Sequence, residues 1–134
     1  MANLDTNAVL RWLIDDIPQQ TRAVEHLLSE CGEVTVHDAA LIECVYALQT
    51  VYKASRPAIA TALSTLLGHG AFRIDTALWR DIIADYLAHP KLSVVDIYLT
   101  HQARRAGDTP LYTFDQKLAN QLDDAELVSP TSGH

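Results

Sequence analysis

At 134 residues, 49% hydrophobic and 20% charged, the chain has the size and make-up of one soluble globular domain. A formal net charge of −7 excludes a protein that grips nucleic acid by bulk electrostatics, but not an enzyme that meets RNA through metal ions, and it suits a basic partner. No apolar run nears the roughly 18 residues of a membrane span, the N-terminus does not read as a secretion signal, and Cys31 and Cys44 lack any metal-binding spacing. These features place the expected setting in the cytoplasm, with no membrane partner.

In chain order, Ala2–Asp5 reads as a strand and Ala8–Asp15 as a helix that ends before Pro18. Pro18 to Cys31 makes a second helix, with Val24, Leu27 and Leu28 at spacings of three and four and Gly32 as its C-cap. Glu33–Val36 is a β-branched strand, and Asp38 is placed to cap a long helix running to about Lys53. Pro57 suits the first turn of a helix through Leu67. Gly68-His69-Gly70 is a turn, and Ala71–Ile74 a further strand. Asp75 or Thr76 caps a helix over Leu78, Trp79, Ile82, Ile83, Tyr86 and Leu87, stopped by Pro90. Ser93 to Ala106 is helical and closes at Gly107. Pro110–Phe114 is a strand, Gln116–Leu122 a short helix and Glu126–Val128 a last strand. Short strands alternating with helices predict an α/β fold: a central parallel β-sheet of about five short strands, covered by helices on both faces. The domain is expected over residues 1–128, with 129–134 a disordered tail.

Three carboxylates stand out from the acidic residues that line polar faces and loops. Glu43 is the sole charge between Ala39 and Tyr52. It points away from the apolar stripe of Leu41, Val45, Leu48 and Tyr52, among the small side chains Ala39, Ala40 and Ala47. A charge enclosed there needs a partner, a metal or a proton; a Glu reaching solvent or an Arg is the competing reading. Asp96 lies in Ser93-Val94-Val95-Asp96, a capping-box spacing that puts it in the positive first turn of a helix. Asp115 follows the strand Leu111–Phe114 and opens a helix, where an N-cap is the default. Asp5 ends the first strand in the same manner. Two of the four thus lie at carboxyl ends of strands, where open α/β sheets bind ligands.

Leu4-Asp5-Thr6-Asn7, the lone Glu43, Val94-Val95-Asp96-Ile97-Tyr98-Leu99 and Tyr112-Thr113-Phe114-Asp115-Gln116-Lys117-Leu118 together resemble a PIN domain, and more narrowly the VapC-type toxins of toxin–antitoxin pairs. The likeness runs in order through nearly the whole chain. One departure is Val94-Val95 before Asp96, where an aromatic or small residue is common. The resemblance implies that Asp5, Glu43, Asp96 and Asp115 hold Mg2+ or Mn2+, with Asn7 and Thr113 supporting the site. It also implies an endoribonuclease whose products carry 5′-phosphate and 3′-hydroxyl ends, a homodimer, and a VapB-like antitoxin that covers the site.

The chemistry agrees with that implication. Four carboxylates about 5 Å apart, at an effective dielectric near 20, repel by roughly 3 kcal/mol per pair, so convergence calls for a divalent ion or raised pKa values. Oxygen-only donors favour Mg2+ or Mn2+ over zinc, and such an ion activates water for in-line attack on a phosphodiester. Asp5 and Asp96 are assigned as primary ligands, with Glu43 and Asp115 direct or through water. A phosphoaspartate phosphatase would need an acid two residues after Asp5, where Asn7 stands. The alternative from another class is a non-catalytic PIN-like module whose acidic cluster binds a partner protein. Arg11, Arg104, Arg105 and Lys117 are candidates for phosphate contact, though solvated helix faces explain them as well. The helix around Ile59, Leu63, Leu66 and Leu67 is either a dimer surface or core.

Overall fold

The structure is a computed structural model that describes residues 2–129; most of the expected tail, 130–134, lies outside the described residues. Its backbone contacts gather into two units, Met1–Arg80 and Asp81–His134, with the boundary inside one helix.

In the first unit Leu4 N–H donates to Thr35 O (3.0 Å) and Thr35 N–H to Ala2 O (2.9 Å). A parallel bridge between Asn3 and Thr35 results. Helix α1 (Thr6–Ile14) follows at once, capped by Asp5 and closed by Asp15 in the left-handed conformation (φ 54°). Helix α2 (Pro18–Cys31) has Pro in its first turn and ends at Gly32, whose φ of 78° is one that side-chain-bearing residues rarely adopt. Strand β1 (Val34–Thr35) pairs in parallel with β2 (Phe72–Arg73), and α3 (Asp38–Thr50) and α4 (Arg56–Gly68) lie between them in the chain. Helix α1 packs on α2 and α3, and α3 on α4. Val9, Val34, Val45, Ile59 and Leu66 are all fully buried. Leu63 is buried with them, so Ile59, Leu63 and Leu66 of the α4 stripe serve as core, while Leu67 is half-buried.

Helix α5 (Thr76–Ala88) carries the chain from the first unit into the second. Its start is capped by Asp75, whose Oδ1 accepts from Leu78 N–H at 3.3 Å. The second unit continues with α6 (Val94–Ala106), β3 (Leu111–Thr113), α7 (Gln116–Gln121) and β4 (Ala125–Leu127). Strands β3 and β4 pair in parallel, and both pack on α7. Gly107 closes α6 with φ 76°, as its sequence position suggested.

Helices joined by small parallel sheets are thus the architecture, but the expected five-stranded central sheet is not. Among the described residues there are two separate two-stranded sheets, β1–β2 and β3–β4, plus the Asn3 bridge. The reason is local. Each extended segment runs almost at once into a helix: Asp5 caps α1, so the helix begins at Thr6, two residues earlier than expected, and Asp115 caps α7 just beyond β3. The ladders therefore close after two or three residues. Asp38 is also not a cap: His37 holds that position, and Asp38 Oδ1 instead accepts the indole N–H of Trp79 at 2.9 Å. That bond satisfies the one polar atom of a fully buried Trp.

Candidate metal centre

Asp5 and Glu43 are brought together in the first unit by Thr6. Asp5 Oδ1 accepts from Ala8 N–H at 2.9 Å, which fixes the carboxylate at the start of α1. The next residue, Thr6, donates its hydroxyl to Glu43 Oε2 on α3, also at 2.9 Å. Cys44, beside Glu43 on α3, directs its Sγ at Thr6 O (3.7 Å). Burial pushes the Cys44 thiol up to about 12, and the negative charges of Glu43 and then Asp5 push in the same direction. One buried sulfur thus feels both carboxylates. Glu43 itself is exposed, which corrects the expectation of a covered charge: α3 is apolar around it, yet its own face meets water. Each of the two carboxylates keeps an oxygen without a hydrogen-bond donor among the described residues.

In the second unit, Ser93 caps α6 by accepting from Asp96 N–H at 3.1 Å, as the capping-box spacing required. The Asp96 carboxylate is half-buried and receives no hydrogen bond among the described residues. Asp115 caps α7, its Oδ1 accepting from Lys117 N–H (2.9 Å) and Leu118 N–H (3.2 Å). Thr113 Oγ1 accepts from Asp115 N–H at 2.9 Å and so holds the turn that presents this carboxylate. Asn7 is exposed, and its carboxamide meets no partner among the described residues.

Among the described residues no three His, Cys, Asp or Glu side chains are drawn close enough to hold a metal ion. Each unit supplies two carboxylates with oxygens left over: Asp5, Asp96 and Asp115 at helix starts and Glu43 in the middle of α3. Carboxylate oxygens are hard donors, a chemistry that suits divalent ions such as Mg2+ or Mn2+.

Four relationships were not legible in sequence. Thr6 as the donor to Glu43 was hidden by a separation of 37 positions along the chain; its place directly after Asp5 was the available signal. Asp85, read as a polar-face residue, accepts from His101 Nε2 at 2.5 Å, and His101 is 5% exposed. Arg11, read as a possible phosphate contact, donates to Asp16 (3.3 Å) and to the Tyr52 hydroxyl (2.5 Å). Arg104 pairs with Asp124.

Small parallel strands alternating with helices, three of them started by the acidic caps Asp5, Asp75 and Asp115, define an α/β protein. Residues 3–122 match the PIN domain family model, a span covering most of the chain; the protein belongs to the PIN domain family. PIN domains are a superfamily of nucleases and typically use divalent metal. A comparison with curated proteins and another with solved structures each found no match. No helix among the described residues is long and apolar enough to cross a membrane.

Proposed function

We propose that this PIN domain is a divalent-metal-dependent endoribonuclease, the toxin of a VapC-type toxin–antitoxin pair. The observation that carries the nuclease reading is the half-buried carboxylate of Asp96, which receives no hydrogen bond among the described residues; Asp5, Glu43 and Asp115 each also keep an oxygen without a donor there. A half-buried carboxylate without a proton donor is costly unless a cation neutralises it. Asp5 and Asp96 are the proposed primary ligands of Mg2+ or Mn2+, with Glu43 and Asp115 direct or through water. When bound, the ion supplies positive charge to the phosphodiester and lowers the pKa of the attacking water. The chain's own part is positioning. The α1 cap sets Asp5, Thr6 aims Glu43, Ser93 sets the turn of Asp96, and Thr113 sets that of Asp115.

RNA is the proposed substrate, cut to leave 5′-phosphate and 3′-hydroxyl ends. The deciding experiment incubates the protein with RNA and Mg2+ or Mn2+. Cleavage is expected, and a chelator, Asp5→Ala or Asp96→Ala should each abolish it. Cleavage that survives both substitutions refutes this site.

The proposed partners are a second copy of the chain and a VapB-like antitoxin, in the cytoplasm. The net charge of −7 suits a basic antitoxin. A second reading, a non-catalytic module, is favoured by one observation: Tyr112 (62%), Phe114 (83%), Leu127 and Val128 are exposed in the second unit, as at protein-binding surfaces. Tight binding of a small basic protein without cleavage of any RNA would select that reading.

A further inference from the structure

The N-terminal turn of α1 borders a cavity of about 400 Å3 lined by Asn7, Arg11, Ile17 and Gln20. Its lining has three properties. The carboxamides of Asn7 and Gln20 have no partner among the described residues, so each offers a free donor and a free acceptor. The Arg11 guanidinium is held in place by Asp16 at 3.1 Å and by the Tyr52 hydroxyl at 2.5 Å. Its Nε–H has no partner among the described residues. Half-buried Ile17 adds an apolar surface.

We propose that this cavity reads one unpaired base of the RNA strand, and that the base is guanine; the proposal rests on the ribonuclease reading above and specifies the substrate of that site. Charge is the first argument. Asp16 offsets the Arg11 charge, and the other lining residues are neutral, so the cavity suits an uncharged, hydrogen-bonding ring better than a phosphate. Complementarity is the second. An immobilised guanidinium matches the adjacent O6 and N7 acceptors that guanine alone presents on one edge, while amide oxygens can accept from its N1–H and exocyclic amine. Unpaired RNA bases are read in this way, by polar groups on their edges and apolar contact with their faces. Position is the third. Asp5 and Arg11 are six residues apart on one helix, roughly 9 Å along its axis. A base held at Arg11 therefore belongs to a nucleotide close to the phosphate held at Asp5.

The test is binding of mononucleotides to the full chain in chelator, so that no cleavage takes part. Calorimetry should show GMP binding about ten-fold tighter than AMP, CMP or UMP, within the discrimination one good side-chain–base pairing provides. GMP should shift the side-chain amide resonances of Asn7 and Gln20. Gln20→Ala, an exposed change that the fold tolerates, should remove most of the preference. Arg11→Lys keeps the charge but loses the planar fork, and should do the same. Equal affinity for the four nucleotides and for ribose 5-phosphate would overturn the proposal, as would a guanine preference untouched by both substitutions. Either result would leave metal-dependent cleavage, judged by the carboxylate variants, standing or falling separately.

Discussion

The hydroxyl of Thr6 donates to Glu43 Oε2 across 2.9 Å, joining the first turn of α1 to the middle of α3. It is the one hydrogen bond to the Glu43 carboxylate among the described residues. Thr6→Val keeps the β-branched shape and removes the donor. An exposed bond of this kind stabilises by about 0.5–1.5 kcal/mol, so thermal denaturation should show only a small loss. If Glu43 serves the metal, Mn2+ affinity and RNA cleavage should fall much more than stability does. A parallel fall in both would make Thr6 merely structural.

Asp5 caps α1 and is also the proposed metal ligand, and two substitutions separate these roles. Asn caps helices about as well as Asp, whereas Ala costs about 1 kcal/mol. Asp5→Asn should therefore leave the melting temperature nearly unchanged and abolish cleavage. Asp5→Ala should lower both. Full activity in Asp5→Asn would remove Asp5 from the ligand set.

Metal addition offers a test independent of substrate. A ligand bound only by the folded state adds about 2.7 kcal/mol at a hundred times its dissociation constant. Excess Mn2+ or Mg2+ should raise the melting temperature of the wild-type chain. The rise should vanish in Asp96→Asn, which keeps the size of the side chain and removes its charge. A shift of equal size in that variant would mean the ion binds elsewhere.

Cys44 predicts an alkaline effect of definite sign. Its thiol rises from 9.0 to about 12 in the folded chain, so between those pH values the unfolded state releases a proton that the folded state keeps. The contribution to stability is intact below pH 9 and declines as pH rises toward 12, by at most about 1.4 kcal/mol per pH unit. Denaturant melts of wild type and Cys44→Ala should diverge only above pH 9, with the steeper decline in wild type. At neutral pH a thiol reagent should label exposed Cys31 rapidly and buried Cys44 only on unfolding.

The Asp85–His101 pair makes a stability prediction away from the carboxylates. His101 is buried on α6, five residues after Asp96, and Asp85 on α5 satisfies it at 2.5 Å. Asp85→Ala leaves a buried imidazole without that partner, at a cost of about 1–3 kcal/mol. The same change at exposed Asp81 should stay within about 0.5 kcal/mol. Equal melting temperatures for the two variants would contradict the pairing.

Much of this was legible because it depends on neighbours in the chain. The caps at Asp5, Asp75, Ser93 and Asp115 use bonds spanning two or three residues, and the glycine ends of α2 and α6 follow from backbone freedom alone. Sheet extent was not legible. A β-branched run such as Val34-Thr35-Val36 shows that a strand can form, but its pairing depends on segments some forty residues away and on how soon the next helix starts. Glu43 was misjudged for a related reason: the scarcity of charge along α3 suggested cover on both sides, and only packing decides which side stays open.

By itself the sequence determined the alternation of short strands and helices, most of the helix caps and, through its motifs, the family. All of these are written in short-range order, in residue types at fixed spacings whose local bonds form whatever surrounds them. Tertiary structure alone decided that Thr6 reaches Glu43, that Asp38 serves Trp79, that Asp85 serves His101, and that Asn7, Arg11 and Gln20 line one cavity. The helix–helix pairs among these meet only because apolar faces are buried together, and the cavity is what the packed chain leaves open between Asn7 and Gln20.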